Sequence, residues 1–309
     1  MPTGPEARVL CIGGAVLDRK YRAHAEIVAA TSNPVEGLRS HGGVSRNVTE
    51  NLARLGVAAS FLSAVGDDEA GRELVDGLAA LGVDVAPVLR SRDVSTAEYV
   101  AVLDPRNDLA LGLAAMGIFE ALTPQLLETS WFERPAMVFT DCNPPADALA
   151  WLVARARQDG FRLAVDTVST PKAVKLPEDL TGVSVIFTNL DEAAALLGET
   201  GLWVETAATA LVGRGAAAAV VTAGAREYAV ADAGGVTMHE TVRAAPVDIT
   251  GAGDAMIAGT LYAMLGGEDI RKATRTGALL AALTIENTAS VRADLSPALL
   301  AAAMTRLNT

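Results

Sequence analysis

Cysteine is nearly absent: the 309 residues contain only Cys11 and Cys142. Two thiols exclude a disulfide framework, and both adjoin apolar strand-like runs, which suits small core residues. Aromatic residues make up 4% of the chain, too few for a surface that stacks nucleic-acid bases. Positive charge is short as well. Lys and Arg number 25 against 37 Asp and Glu, a formal net charge of -12. Such a chain has no general attraction for nucleic acid or an anionic membrane. Any phosphate must be held locally, by backbone amides, a few cations or a metal ion. No uninterrupted apolar run reaches the ~20 residues that a membrane span needs. Residues 1–10, MPTGPEARVL, lack the charged and apolar regions of a signal peptide. The expectation is a cytoplasmic protein whose partners include neither nucleic acid nor membrane.

Half of the residues are hydrophobic, enough for a large core. Short apolar runs at 9–12, 60–65, 136–140, 162–166, 183–188 and 218–222 read as strands. Helical patterns at 45–55, 71–81, up to about 158, and 191–197 alternate with them. That alternation predicts an α/β fold with a mostly parallel sheet covered on both faces. The C-terminal third changes character: 251–265, 270–287 and 296–307 are Ala-rich and helical. Two stretches, 15–41 and 94–113, look like strands without partner helices. The second contains a hairpin signature, with a Pro105-Arg106-Asn107-Asp108 turn. Together they predict a discontinuous β lid on a main domain formed by 1–14, 42–93 and 114–309.

The stretch Asp248-Ile249-Thr250-Gly251-Ala252-Gly253-Asp254 precedes an apolar helix. The first amides of a helix lack intrahelical partners, and its dipole favours negative charge there. Three small residues leave those amides open to an anion, and Asp254 stands beside them. An anion hole next to a carboxylate base is what phosphoryl transfer to a hydroxyl requires. The plain alternative is a helix-start acid with small residues for packing. Asp248 and Thr250 have the oxygens to help ligate a cation, or they make a strand-end turn. Asp18 follows the first strand, at the end where open α/β sheets bind ligands. Gly13-Gly14 does not continue into the G-x-G-x-x-G of a dinucleotide fold, so that reading fails. Gly42-Gly43 permits close approach to a ligand, and Asn47 can hydrogen-bond a polyol. His41 and Arg46 are expected to be solvated. Asn189 and Glu192, three apart at a helix start, either orient water or Mg2+ near phosphates or form a cap. Thr222 and Gly224 end another strand, which suits nucleotide contact or a turn.

In this order the motifs resemble those of the ribokinase-like (PfkB-type) carbohydrate and nucleoside kinases. Gly42-Gly43-x-x-x-Asn47, with Ala53-Arg54-Leu55-Gly56 closing its helix, is similar to their N-terminal signature. Residues 248–254 resemble their C-terminal signature, and Asn189-x-x-Glu192 and Thr222-x-Gly224 fall where the family has them. Within the family, Thr31-Ser32-Asn33-Pro34, Gly42 to Asn47, Asp141-Cys142-Asn143 and Val165-Asp166-Thr167-Val168-Ser169-Thr170-x-Lys172 look most like the bacterial pseudouridine-kinase branch. One departure stands out: Ala114-Ala115 replaces a polar Asn-Asp before Met116.

The resemblance implies a three-layer α/β/α domain with a β lid that also serves as a homodimer contact. It implies ATP, Mg2+ and commonly K+. By carry-over, Asp254 is the base for a primary 5′ hydroxyl, and the Gly251, Ala252 and Gly253 amides form the anion hole. Asp18, Asn33, Gly42, Gly43, Asn47 and Asp166 hold the acceptor. Asn189, Glu192, Thr222 and Gly224 serve the nucleotide, with Glu192 near Mg2+. Asp248, Thr250 and Ser290 make the monovalent-cation site. Pseudouridine is the first acceptor expected. The alternatives are a sugar kinase, a kinase of adenosine, inosine or uridine, or a ligand-binding protein without catalysis.

Overall fold

The computed structural model describes residues 9–128 and 135–308. Residues 1–8, on which the signal-peptide reading and the start of the main domain fall, lie outside the described residues. The strands are β1 (Val9–Ile12), β2 (Val16–Ala23), β3 (Val35–Gly42), β4 (Ala59–Leu62), β5 (Ala64–Gly66), β6 (Leu89–Ser91), β7 (Ala97–Leu103), β8 (Leu109–Ala115), β9 (Met137–Asp141), β10 (Leu163–Asp166), β11 (Val183–Asn189), β12 (Ala218–Thr222), β13 (Glu227–Asp232) and β14 (Gly235–Glu240). The helices are α1 (Val44–Arg54), α2 (Glu69–Ala79), α3 (Pro124–Leu127), α4 (Ala146–Asp159), α5 (Thr170–Ala173), α6 (Leu190–Leu197), α7 (Val204–Gly213), α8 (Ala252–Leu265), α9 (Ile270–Ile285) and α10 (Pro297–Ala303). No described helix is long and apolar enough to cross a membrane.

The main sheet runs β14-β13-β12-β11-β10-β9-β1-β4. It is parallel from β4 to β12, and β13 and β14 add an antiparallel edge. Alternation along β1 shows why it is covered on both faces. Leu10 and Ile12 join one core with residues of α4, α6 and α7, while Val9 and Cys11 join the other with residues of α1, α2, α8 and α9. Cys11 and Cys142 are both buried free thiols. Helices α8 and α9 approach closely at a glycine pair: a Cβ on Gly259 would lie 2.9 Å from Gly277 Cα. That contact explains the small-residue composition of the C-terminal third.

A second sheet has the order β3-β2-β7-β8. Two expectations need correction. The run 60–65 is not one strand. Ser63 Oγ donates to Gly13 O at 2.6 Å while Ser63 O accepts from Leu89 N at 2.9 Å, so the chain leaves the main sheet there and β5 pairs with β6. Beyond the strand at 218–222, β13 and β14 form a hairpin that the apolar-run pattern does not include. Its two-residue Ala233-Gly234 turn between the paired Asp232 and Gly235 is the signal that marks it.

Candidate active site

Helix α8 begins at Gly251, whose φ is +82°. A Cβ there would lie 2.1 Å from the Ser290 carbonyl oxygen, so only glycine allows the chain to turn against that loop. No side chain caps the helix. Gly253, by contrast, has nothing within 4 Å of its Cβ position. The first turn therefore presents amides, the positive dipole end and free space together. Asp254 sits in that turn, half-buried.

The second signature arrives from 207 residues away. Asn47 Nδ2 donates to Asp254 Oδ2 at 2.7 Å. Asn47 is fixed in turn: its Oδ1 accepts from Arg46 Nη1 at 2.9 Å, and Arg46 pairs with Glu50. Arg46 is 6% exposed, so the expectation of a solvated arginine fails. Its guanidinium donates to the amide that faces Asp254. His41 is half-exposed and pairs with Glu73 at 3.7 Å.

Asp141, part of the Asp141-Cys142-Asn143 resemblance, stands behind Asn47. It is fully buried at the end of β9. Its Oδ2 accepts from Gly14 N at 2.9 Å and Ser45 N at 3.0 Å, and its Oδ1 accepts from Asn143 N at 2.9 Å. The carboxylate thus fills the start of α1 and sets the register of Asn47. Gly13-Gly14 makes room for it: a Cβ on Gly13 would lie 2.1 Å from Asp141 Oδ1. In sequence Gly14 and the acid lie 127 residues apart, so the pattern alone does not join them.

Asp18 stands on β2 beside Gly42, where a Cβ would lie 2.0 Å from Asp18 Oδ2. Gly43 has φ +95° and faces the Gly14 carbonyl. Burial pushes the Asp18 carboxyl up to about 6, against the pull of Arg46 and Lys20. Burial also pushes Asp254 up to about 6. The Asn47 hydrogen bond opposes this, and the charges of Asp141 and Asp18 add to it.

An open cleft of about 550 Å³ adjoins Asp254. It is lined by Asp166, Asn189, Glu192, Thr222, Gly253 and Asp254, among others. This groups Asp166 with Asn189 and Glu192, not with Asp18 and Asn47 as expected. Burial first, then the charges of Glu192, Asp254 and Asp141, raise the Asp166 carboxyl well above its usual range. Asn189 and Glu192 form a full capping box at α6, so the capping alternative is real. Both Glu192 oxygens are engaged, Oε1 by Asn189 Nδ2 at 2.7 Å and Oε2 by Thr167. Val168, with φ +66°, closes a tight turn on the cleft wall. Ser169 N donates to Thr167 O at 2.7 Å and Val168 N donates to Asp166 Oδ2 at 3.0 Å. A β-branched residue in this conformation stores strain. Gly224, at φ +64°, lies in the turn after β12.

The structure does not bring Asn33 to this cluster. Its side chain is spent on its own loop, accepting from Val28 N and donating to Val28 O and Thr31 O. That loop leaves β2 at Ala23, roughly 17 Å along the strand from Asp18. The expected monovalent-cation donors are also committed. Asp248 Oδ1 accepts from Thr250 N and Oγ1 at 2.9 and 2.6 Å, and Oδ2 faces Lys20 Nζ at 3.6 Å. Ser290 contributes its backbone against Gly251. Among the described residues, no three acidic, histidine or cysteine side chains form a ready metal cage.

Known proteins carry the same framework. The pseudouridine kinase of Escherichia coli K12 is 30% identical over 273 residues, covering 86% of this chain and 87% of its own. An uncharacterised sugar kinase of that strain, YeiI, is 31% identical over 279 residues, 88% of this chain and 76% of its own. A solved carbohydrate kinase from Agrobacterium tumefaciens superposes with a TM-score of 0.84 at 30% identity, covering 96% of this chain and 97% of its own. Arabidopsis thaliana ribokinase, complexed with ribose and ATP, shares the fold with a TM-score of 0.84 at 18% identity, over 98% and 99% of the two chains. Residues 6–295 match the pfkB family carbohydrate kinases, whose members are transferases that phosphorylate hydroxyl groups with ATP and Mg2+. A uncapped glycine-led helix start, a carboxylate in its first turn and a match spanning nearly the whole chain agree: the protein belongs to the pfkB family of carbohydrate kinases.

Proposed function

We propose that the chain phosphorylates the primary 5′ hydroxyl of a nucleoside with ATP, and that pseudouridine is its first acceptor. The observation that carries the reading is the 2.7 Å hydrogen bond from Asn47 to Asp254 at the mouth of α8. It joins an acceptor side, Asp18, Gly42, Gly43 and Asn47, to a phosphate side, the amides of Gly251, Ala252 and Gly253. Asp254 Oδ2 is held by Asn47, which leaves Oδ1 to take the hydroxyl proton. As that proton leaves, the oxygen bonds to the γ-phosphorus, the bond to the bridging β,γ-oxygen breaks, and ADP departs with that electron pair. The α8 amides stabilise the charge on the transferring group.

The cleft with Asn189, Glu192 and Thr222 takes the nucleotide, and Gly224 follows Thr222 in the turn after β12. Its acids repel a bare polyphosphate, which supports a bound Mg2+. Besides Asp254, Asp166 and Glu192 are carboxylates that line it, and Mg2+ typically uses one or two such groups plus phosphate oxygens. When bound, Mg2+ neutralises charge on the β- and γ-phosphates. The second sheet serves as lid and as contact for a second copy, because Leu109, Leu111 and Leu113 of β8 are 58%, 51% and 52% exposed.

One observation keeps another acceptor in view. Asp18, Tyr99 and Ala114 lie in one cross-strand row, so Ala114 shares the face of Asp18 about 10 Å away. A polar side chain there would reach an acceptor, and alanine does not. A sugar or another nucleoside is therefore the second reading. ADP release with ATP and Mg2+ over pseudouridine, uridine, adenosine, inosine, ribose and fructose 6-phosphate separates the two. Pseudouridine is expected to give the highest kcat/KM, and a preference for ribose overturns the nucleoside reading. Asp18→Ala is expected to raise KM for the acceptor about 10- to 100-fold, the cost of a lost hydrogen bond to a charged group.

A further inference from the structure

Lys20 and Asp18 are two residues apart on β2 and project from the same face of the second sheet. From there Lys20 reaches the loop that leads into α8, where its Nζ lies 3.6 Å from Asp248 Oδ2. The other oxygen of that carboxylate already accepts both the backbone N–H and the hydroxyl of Thr250. Burial pushes the Asp248 carboxyl up, but donation from Thr250 and the Lys20 charge outweigh it and keep the group below its usual range. The next turn of chain is Gly251, packed on the Ser290 carbonyl. These are the residues that the family resemblance offers to K+, yet a bare monovalent ion needs a shell of oxygens to replace its water. Here one oxygen of the acid is tied to Thr250, and the other faces an ammonium.

We infer that the Lys20 ammonium stands in for the monovalent cation at Asp248. It neutralises the carboxylate and steadies the 248–250 turn behind the Gly251–Gly253 amides, so the enzyme works without K+. The inference rests on the kinase reading above, and it assigns Lys20 a positioning role: the residue acts through the loop and not on the reacting atoms. Because Lys20 rides on the second sheet, the stand-in charge arrives only with that sheet in place.

The test compares wild type with Lys20→Met in KCl and in choline chloride at equal ionic strength, by ADP release and by thermal melting. Wild-type turnover is expected to agree within about twofold between the salts, with one melting temperature. Lys20→Met is expected to lose about tenfold in choline chloride, to regain most of it in KCl, and to melt higher in KCl alone. Wild type stimulated about tenfold or more by K+ overturns the inference. So does a Lys20→Met variant that is fully active in choline chloride, or one whose loss KCl does not restore. If no acceptor supports turnover, the kinase reading fails and melting still judges Lys20. K+ stabilisation of the variant alone supports the inference, whereas stabilisation of wild type, or of neither protein, overturns it.

Discussion

Two helices begin at the same place in this molecule, and their first turns are used in opposite ways. Helix α1 follows Gly43 and α8 follows Gly251; both glycines have positive φ, and no side chain on either helix caps its own start. At α1 the protein fills the opening itself: Ser45 N donates to Asp141 Oδ2, and Arg46 N donates to Gly14 O at 3.1 Å. At α8 the first turn opens onto the cleft beside Gly253. A filled helix start is a rigid mount, and an open one is a receptor for an anion. The 2.7 Å contact between Asn47 and Asp254 sets the mount against the receptor. The binding signal is therefore the missing internal partner, not the glycines.

Breaking the open side should have the largest effect. Asp254→Asn keeps the contact with Asn47 and removes the base. Turnover is expected to fall about 10^3-fold, within the usual contribution of a general base, while ATP binding by calorimetry stays near normal. A variant that keeps most of its kcat removes Asp254 from the reaction.

Breaking the filled side tests the mount. Asp141→Ala leaves the amides of Gly14, Ser45 and Asn143 buried without an acceptor. Stability in urea is expected to drop by about 3 kcal/mol, since each orphaned buried donor costs roughly 1–3 kcal/mol and neighbours partly relax. Unchanged stability would show that the start of α1 does not need its internal anion.

The two glycines of the open side sharpen the contrast further. Gly251→Ala forces a Cβ against the Ser290 carbonyl at a positive φ, and is expected to cost about 2 kcal/mol in thermal or urea unfolding. Gly253→Ala meets nothing within 4 Å. It should fold normally yet raise KM for ATP, because its methyl enters the anion's space. Equal melting temperatures for the two variants would collapse the distinction.

Much of this was legible from the chain. The short continuous apolar runs gave the parallel strands because each is apolar on both faces, and residues 248–254 offered an anion site by helix-end physics, beside the plain alternative of a helix-start acid. The parts that escaped depend on contacts distant in sequence. Arg46 is the exception: its partners Asn47 and Glu50 are one and four residues away, but helical spacing alone does not say that this face of α1 is buried. Asp141 entered only as part of the resemblance, because two of its three donors, the amides of Gly14 and Ser45, lie far from it in sequence. Asn33 shows the opposite case, a side chain with local partners only. Its motif resembled a substrate contact, but a short loop gave the amide all its partners locally. Asp166 lines the cleft, and only the packing of β10 beside β11 showed which acids share it.

The smallest expected effect concerns what the open side costs the fold. The Asp254 carboxyl is pushed up to about 6 by burial, from an unfolded value near 3.8. Between those two values the folded state binds more protons than the unfolded chain, so stability falls as pH rises through that window, and above 6 the full penalty remains. Asp254→Asn removes it. The variant is expected to be more stable than wild type at pH 8 by about 1 kcal/mol, after allowance for the solvent that reaches the group. The gain should vanish below pH 4, where the wild-type acid is protonated in both states. The same titration governs rate with the opposite preference: kcat/KM should fall as pH drops through about 6, because a protonated Asp254 accepts nothing. Urea unfolding at pH 4 and 8, set beside a pH–rate profile, checks both. A stability gain independent of pH would mean that the charge of Asp254 is not what strains the open helix start.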